Sequence, residues 1–207
     1  MQPIFSRNDD IDKMAFMNWR MQDESPIRHF MNMANGYLRS SLILAKQCLI
    51  CNSDKKADIL IFPILANANH GIELYLKAII WMLNEQLKSN AKIEGRHNIG
   101  QIYKMLKSKL KALGGVDELR AFEDGMKELE GYIDELVLKI EATSKNDKMD
   151  FSRYPISNAY ENHFYVDRMG TVEVDLENFI RRFEIIHDKL SWAAEHFYDE
   201  TGDDEQD

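Results

Sequence analysis

"ILIFPILANANHGIELYLKAIIWMLNEQL", residues 59–87, is the stretch on which the fold turns. Phe62, Leu65, Ile72, Leu76, Ile79 and Leu83 recur at the intervals that line one face of a helix. The face is broad, which predicts a helix at the centre of a bundle. Pro63 lacks an amide donor and is expected either to start this helix or to kink it. A polar stripe breaks the apolar pattern. Ala66, His70, Glu73 and Lys77 follow at steps of four, three and four, and at 100° per residue they share a face. That face borders the apolar one, so the stripe points into a seam between helices. Two readings stand here. Glu73 and Lys77 form an ordinary i,i+4 ion pair at the core edge, worth about 0.2–0.5 kcal/mol on an exposed helix. Alternatively, the stripe is one wall of a chemical site.

Helical spacing extends on both sides. Upstream, Ile27, Phe30, Met31, Ala34, Tyr37, Leu38, Ser41, Leu42, Ala45 and Cys48 form an apolar face, with Ser25 as N-cap and Pro26 in the first turn. Downstream, Ile99, Ile102, Tyr103, Leu106 and Leu110 form another, which Gly114 and Gly115 are expected to end. Leu119, Phe122, Met126, Leu129, Ile133, Leu136 and Ile140 predict a further helix over 116–142. The last runs from Leu176 to Phe197, with Phe179, Ile180, Phe183, Ile186 and Leu190 inward. "HFYVDRMGTVEVD" alternates and has Gly170 at its centre, which predicts a short hairpin. The fold class is therefore all-α: an antiparallel up-and-down bundle of four to five long helices, with a small β-hairpin insert at about 161–175. Residues 1–25 read as a weakly structured segment with a short helix around "DKMAFMNWRM". Residues 26–197 read as one domain, and 198–207 as an acidic disordered tail.

Of 207 residues, 44% are apolar and 29% charged, the balance of a soluble globular chain. Such a length buries enough surface to fold without disulfides or metal. No uninterrupted apolar run reaches the ~18 residues of a membrane span, and "MQPIFSRNDDIDKM" is too acidic for a signal peptide. The expectation is a cytoplasmic protein with no membrane partner. Cys48 and Cys51 form C-x-x-C with no second cysteine pair, so they are read as reduced, buried thiols. Six of the acids behind the net charge of −9 lie in the last ten residues.

Two further stretches bear on the stripe. In "EGRHNIGQIYKML", His97 precedes a helix start, where unsatisfied amides are positive, and Asn98 is the expected cap. His97 suits either a capping hydrogen bond or acid–base and phosphate chemistry. In "DFSRYPIS", Pro155 biases Tyr154 toward an extended backbone, a rigid way to aim Arg153.

"GIELYLKA", "GRHNIGQIYKML" and "RYP", followed by a last helix, together resemble the HEPN superfamily. They are most similar to an uncharacterised bacterial HEPN-like group with Glu-x-x-x-Lys, Gly-His and Arg-Tyr-Pro segments. The resemblance spans roughly residues 30–195. Here Arg96 separates Gly95 from His97, where a direct Gly-His is commoner. The resemblance implies a helical bundle, often homodimeric. It also implies metal-independent ribonuclease activity in bacterial defence or toxin–antitoxin systems, with an antitoxin or defence-system protein as partner, or else a non-catalytic RNA- or nucleotide-binding role. The family's nuclease motif is an arginine, four to six residues, then a histidine. Arg182 and His187 fit it, as does Arg181 with His187. His187 is equally in phase with the apolar face of its helix.

Metal-independent RNA cleavage needs a base for the 2′-hydroxyl, a cation for the phosphate and an acid for the leaving group. Glu73, Lys77, His97 and Arg153 form the first candidate set. His70, Tyr154, Arg182 and His187 form the second. No cofactor or metal is called for. Lys104, Lys107, Lys109 and Lys111 form a basic patch suited to RNA; a neighbouring acidic stretch at 117–141 offers the alternative that the two surfaces balance each other.

Overall fold

The computed structural model describes residues 3–17, 24–91, 97–141, 151–157, 159–167 and 172–202. Among them are five long helices, one α-helical turn, one 3₁₀ turn and no strand. Helix α1 spans Pro26–Ile50 and α2 spans Ala57–Gln86. Helix α3 spans Ile99–Gly125, α4 Lys127–Glu141, the single turn α5 Phe164–Asp167, and α6 Leu176–Gly202.

Ser25 caps α1 as its sequence predicts, the side chain accepting from the Arg28 amide at 3.2 Å. Helix α2 begins at Ala57 and runs through Pro63, so the proline does not start it. The amide it lacks would have bonded the carbonyl of Ile59, a residue exposed to water. From Gly71 to Ile80 every residue of α2 is buried. Helices α1, α3 and α6 pack around it, and α4 touches both α3 and α6. Ile72, Leu76, Ile79, Ile80 and Leu83 are almost wholly withdrawn from water. Each contributes roughly 1.5–3 kcal/mol by burial, far more than one exposed ion pair. By length and composition α2 would also pass as a membrane span, but half of that apolar window is buried inside the bundle.

Gly71 sets the distance between α1 and α2. A β-carbon there would stand 2.7 Å from Leu38 Cγ and 3.0 Å from the carbonyl oxygen of Ala34. Ser41 Oγ donates to the Ile64 carbonyl at 2.9 Å and ties the same two helices.

The helix that starts at Ile99 breaks at Gly115 (φ 76°, ψ −154°), as the glycine pair predicts, and a second helical stretch follows at once to Gly125. Several other expectations need correction. The predicted helix over 116–142 is thus divided at Met126, whose φ of −107° and ψ of 19° leave the helical region. The hairpin is absent among the described residues. Phe164–Asp167 form a helical turn and 172–175 are irregular, while Gly170 lies outside the described residues. Tyr165 packs on Phe62 of α2, with ring centroids 5.4 Å apart, and among the described residues there is no sheet against which a two-stranded ribbon would gain stability. Helix α6 continues past Phe197 to Gly202, because Tyr198 is held by the Arg28 guanidinium 4.1 Å above its ring. Near the N-terminus a 3₁₀ turn at Ile11–Lys13 is followed by non-helical residues, and 18–23 lie outside the description. Cys48 is buried, but Cys51 ends α1 and is exposed.

Candidate functional site

The stripe on α2 meets the residue before α3. Asn98 caps α3, its side chain accepting from the Gln101 amide at 3.1 Å. Gly100 brings that helix start against α4, since a β-carbon there would stand 3.4 Å from Ile133 and 3.5 Å from Val137. His97 is thereby held over α2, its Nδ1 3.0 Å from Glu73 Oε1. The same oxygen accepts from Lys77 Nζ at 2.8 Å. The other carboxylate oxygen stands 3.8 Å from His70 Nδ1, too far for a hydrogen bond. Glu73 and Lys77 are buried, whereas the His97 side chain is 53% exposed.

Burial alone would raise the Glu73 carboxyl. His70, Lys77 and His97 outweigh it and hold the group down to about 2. Glu73 is therefore ionised at neutral pH and can only accept. It follows that Nδ1 of His97 carries the proton of their hydrogen bond, and Nε2 is the ring nitrogen that does not face Glu73. A histidine oriented by a carboxylate, with its far nitrogen free, is a general acid–base arrangement. The start of α3 adds a positive end beside it, suited to an anion. Among the described residues no three His, Cys, Asp or Glu side chains are placed to hold one metal ion.

Of the first candidate set, Glu73, Lys77 and His97 come together. Arg153 and Tyr154 are exposed, on a short segment anchored by buried Phe151 and Ser152. Among the described residues, the charged and polar groups that act most strongly on Glu73 are His70, Lys77 and His97. His70 joins the site from one turn away, its ring edge-on to Tyr37 of α1 at 4.5 Å. That contact lay beyond sequence reasoning, because nothing in the apolar spacing of α1 singles out Tyr37 as a partner for the stripe.

Arg182 and His187 face different neighbours. Arg182 Nε bonds Glu128 at 2.8 Å and its Nη1 bonds Glu135 at 2.9 Å, both on α4. Its close approach is allowed by Gly131, where a β-carbon would stand 3.1 Å from Nη2. His187 turns to α1, where Nε2 lies 3.0 Å from Asn35 Oδ1. Burial, with Arg39 nearby, lowers its pKa against the opposing pull of Asp188. Within one chain the two do not form a common site. Arg181 is tied to Asn178 at 2.7 Å. In the basic patch, Lys107 is engaged by Glu130 at 2.8 Å and Glu123 at 3.1 Å. Lys104 and Lys111 are exposed and seven residues apart, hence on one face, while Lys109 is half-buried.

No protein-family model, curated protein or solved structure matches the chain.

Proposed function

We propose that the chain is a HEPN-like, metal-independent endoribonuclease of bacterial defence or toxin–antitoxin systems, acting in the cytoplasm. The observation that carries this reading is the 3.0 Å contact between His97 Nδ1 and the ionised, buried Glu73. His97 is the proton-transfer residue, and Glu73 orients it. Lys77 balances Glu73 from within the core, and the start of α3 draws the phosphate. Arg153 is the candidate phosphate clamp, with the fork geometry a lysine lacks. Lys104 and Lys111 supply a basic face along α3 for the RNA strand. The resemblance adds a homodimer and an antitoxin-like or defence-system protein as partners.

A second reading is favoured by the burial of Lys77 beside Glu73. In it the stripe only fixes the register of α2, and the protein is a non-catalytic module for RNA, a nucleotide or a protein partner.

The test is cleavage of structured and unstructured RNA in EDTA by the wild type and by His97→Ala, Arg153→Ala and Arg182→Ala, each first shown to be folded by circular dichroism. Loss of a proton-transfer group typically costs about 10²–10⁴-fold in rate. The nuclease reading expects that loss at His97, a loss at Arg153 and little change at Arg182. No cleavage by the wild type over a broad RNA panel would leave the binding module as the reading.

A further inference from the structure

Glu73 faces two histidines. Its Oε1 holds His97 at 3.0 Å, and its Oε2 faces His70 at 3.8 Å. The two ring nitrogens are therefore separated by no more than these two contacts and the width of one carboxylate. His70 Nδ1 is buried and has no hydrogen-bond partner among the described residues, although its side chain is 32% exposed overall. The exposed part of the ring therefore lies away from Nδ1. Both imidazoles thus turn one nitrogen toward the carboxylate and another edge outward.

Among the described residues, these groups stand around them. On α2 are Glu73 and Lys77; from α1 comes the Tyr37 ring; before α3 stands His97 itself. Tyr132 of α4 is committed to Asn69, its hydroxyl donating at 2.6 Å. Glu73 and Lys77 already cancel. Protonating one histidine leaves a single positive charge beside the carboxylate. Protonating the second places two like charges within a partly buried space, where like charges repel far more than in water.

We propose that His70 and His97 share one proton across Glu73, and so present an acid and a base side by side. This rests on the ribonuclease reading for its use but not for its measurement. In RNA cleavage the neutral ring takes the 2′-hydroxyl proton as the 2′-oxygen bonds to phosphorus. The protonated ring gives its proton to the departing 5′-oxygen as the phosphorus–oxygen bond breaks. Atoms and charge balance, and the two rings exchange states in the process.

The experiment is an NMR titration of the imidazole Cε1–H signals of the full chain. His70→Gln and His97→Gln assign the two signals by their loss. Both replaced rings are partly exposed, and both variants keep the buried Glu73–Lys77 pair. Coupling across one carboxylate is expected to move the remaining histidine's midpoint up by about half a pH unit or more when its partner is removed. Glu73→Gln, if folded, should lower both midpoints. A midpoint that stays in place on removal of the other ring overturns the inference. The cleavage assay is read alongside. Cleavage without coupling overturns the proton sharing and leaves the ribonuclease. Coupling without cleavage supports the proton sharing and removes the ribonuclease.

Discussion

Replacing Lys77 by methionine tests what the buried pair contributes. In the wild type, Lys77 Nζ lies 2.8 Å from Glu73 Oε1, and both side chains are nearly closed to water. Lys77→Met keeps an unbranched apolar chain one heavy atom shorter and removes the ammonium, so Glu73 remains buried with its main cation and its donor gone. Breaking one side of a buried pair costs about 3–5 kcal/mol. Here His97 still donates at 3.0 Å, which places the expected loss toward the lower end. The double variant Glu73→Leu/Lys77→Met behaves differently. It removes both desolvated charges together and fills the space with apolar atoms. His97 loses its partner, but its side chain is 53% exposed and water replaces the bond. Apolar replacement of a whole buried pair is typically neutral or stabilising by about 1–4 kcal/mol. The double variant should therefore recover most or all of the loss, a coupling of at least about 2 kcal/mol. Urea unfolding followed by circular dichroism and by tryptophan fluorescence measures all of this. A double variant as unstable as the sum of its single changes would refute the reasoning, because the two side chains would then contribute independently, with no coupling between them. A double variant that is stable but unable to cleave RNA separates structure from chemistry.

Acid should weaken the fold through Glu73. Its carboxyl is depressed from 4.5 to about 2, so the stability it adds is full above about pH 4.5 and fades as pH falls toward 2. The loss should reach roughly 2–3 kcal/mol at most, visible as a fall in urea midpoint that Glu73→Gln lacks. Gly71→Ala should destabilise by about 1–3 kcal/mol or more in the same assay, since its β-carbon meets α1 backbone. Tyr132→Phe removes the hydroxyl that donates to Asn69 Oδ1 and should cost about 1–3 kcal/mol, an effect that Asn69→Leu in the same background would partly reverse. Arg182→Ala should lower stability by about 1 kcal/mol through its lost ties to Glu128 and Glu135, with cleavage unchanged.

The helices were legible where burial follows one period over many residues. The breadth of the α2 face and the Ser25–Pro26 start needed no partner to be read, because both are local. The same periodicity misled at 116–142, where Phe122, Met126 and Leu129 stay in phase across a break. Phase records which side is buried, and a one-residue departure at Met126 leaves it intact. The alternating stretch at 161–175 failed for a related reason. A period of two predicts a strand only if a sheet receives its inner face, and Tyr165 is instead used singly against Phe62.

The site was legible in part because its two halves carry local marks. Glu73 and Lys77 are out of place on an apolar helix, and His97 stands at a helix start whose cap, Asn98, identifies it. That they meet is a matter of α3's angle, set by Gly100 against α4, and no pattern along the chain encodes it. Arg182 and His187 illustrate the reverse. Five residues on a helix turn through about 500°, so two side chains at that spacing point some 140° apart. In this bundle that difference sends one to α4 and the other to α1. The spacing of such a pair in sequence therefore cannot by itself make a site within one chain, and the carboxylate that joins His97 to α2 is the stronger guide to chemistry.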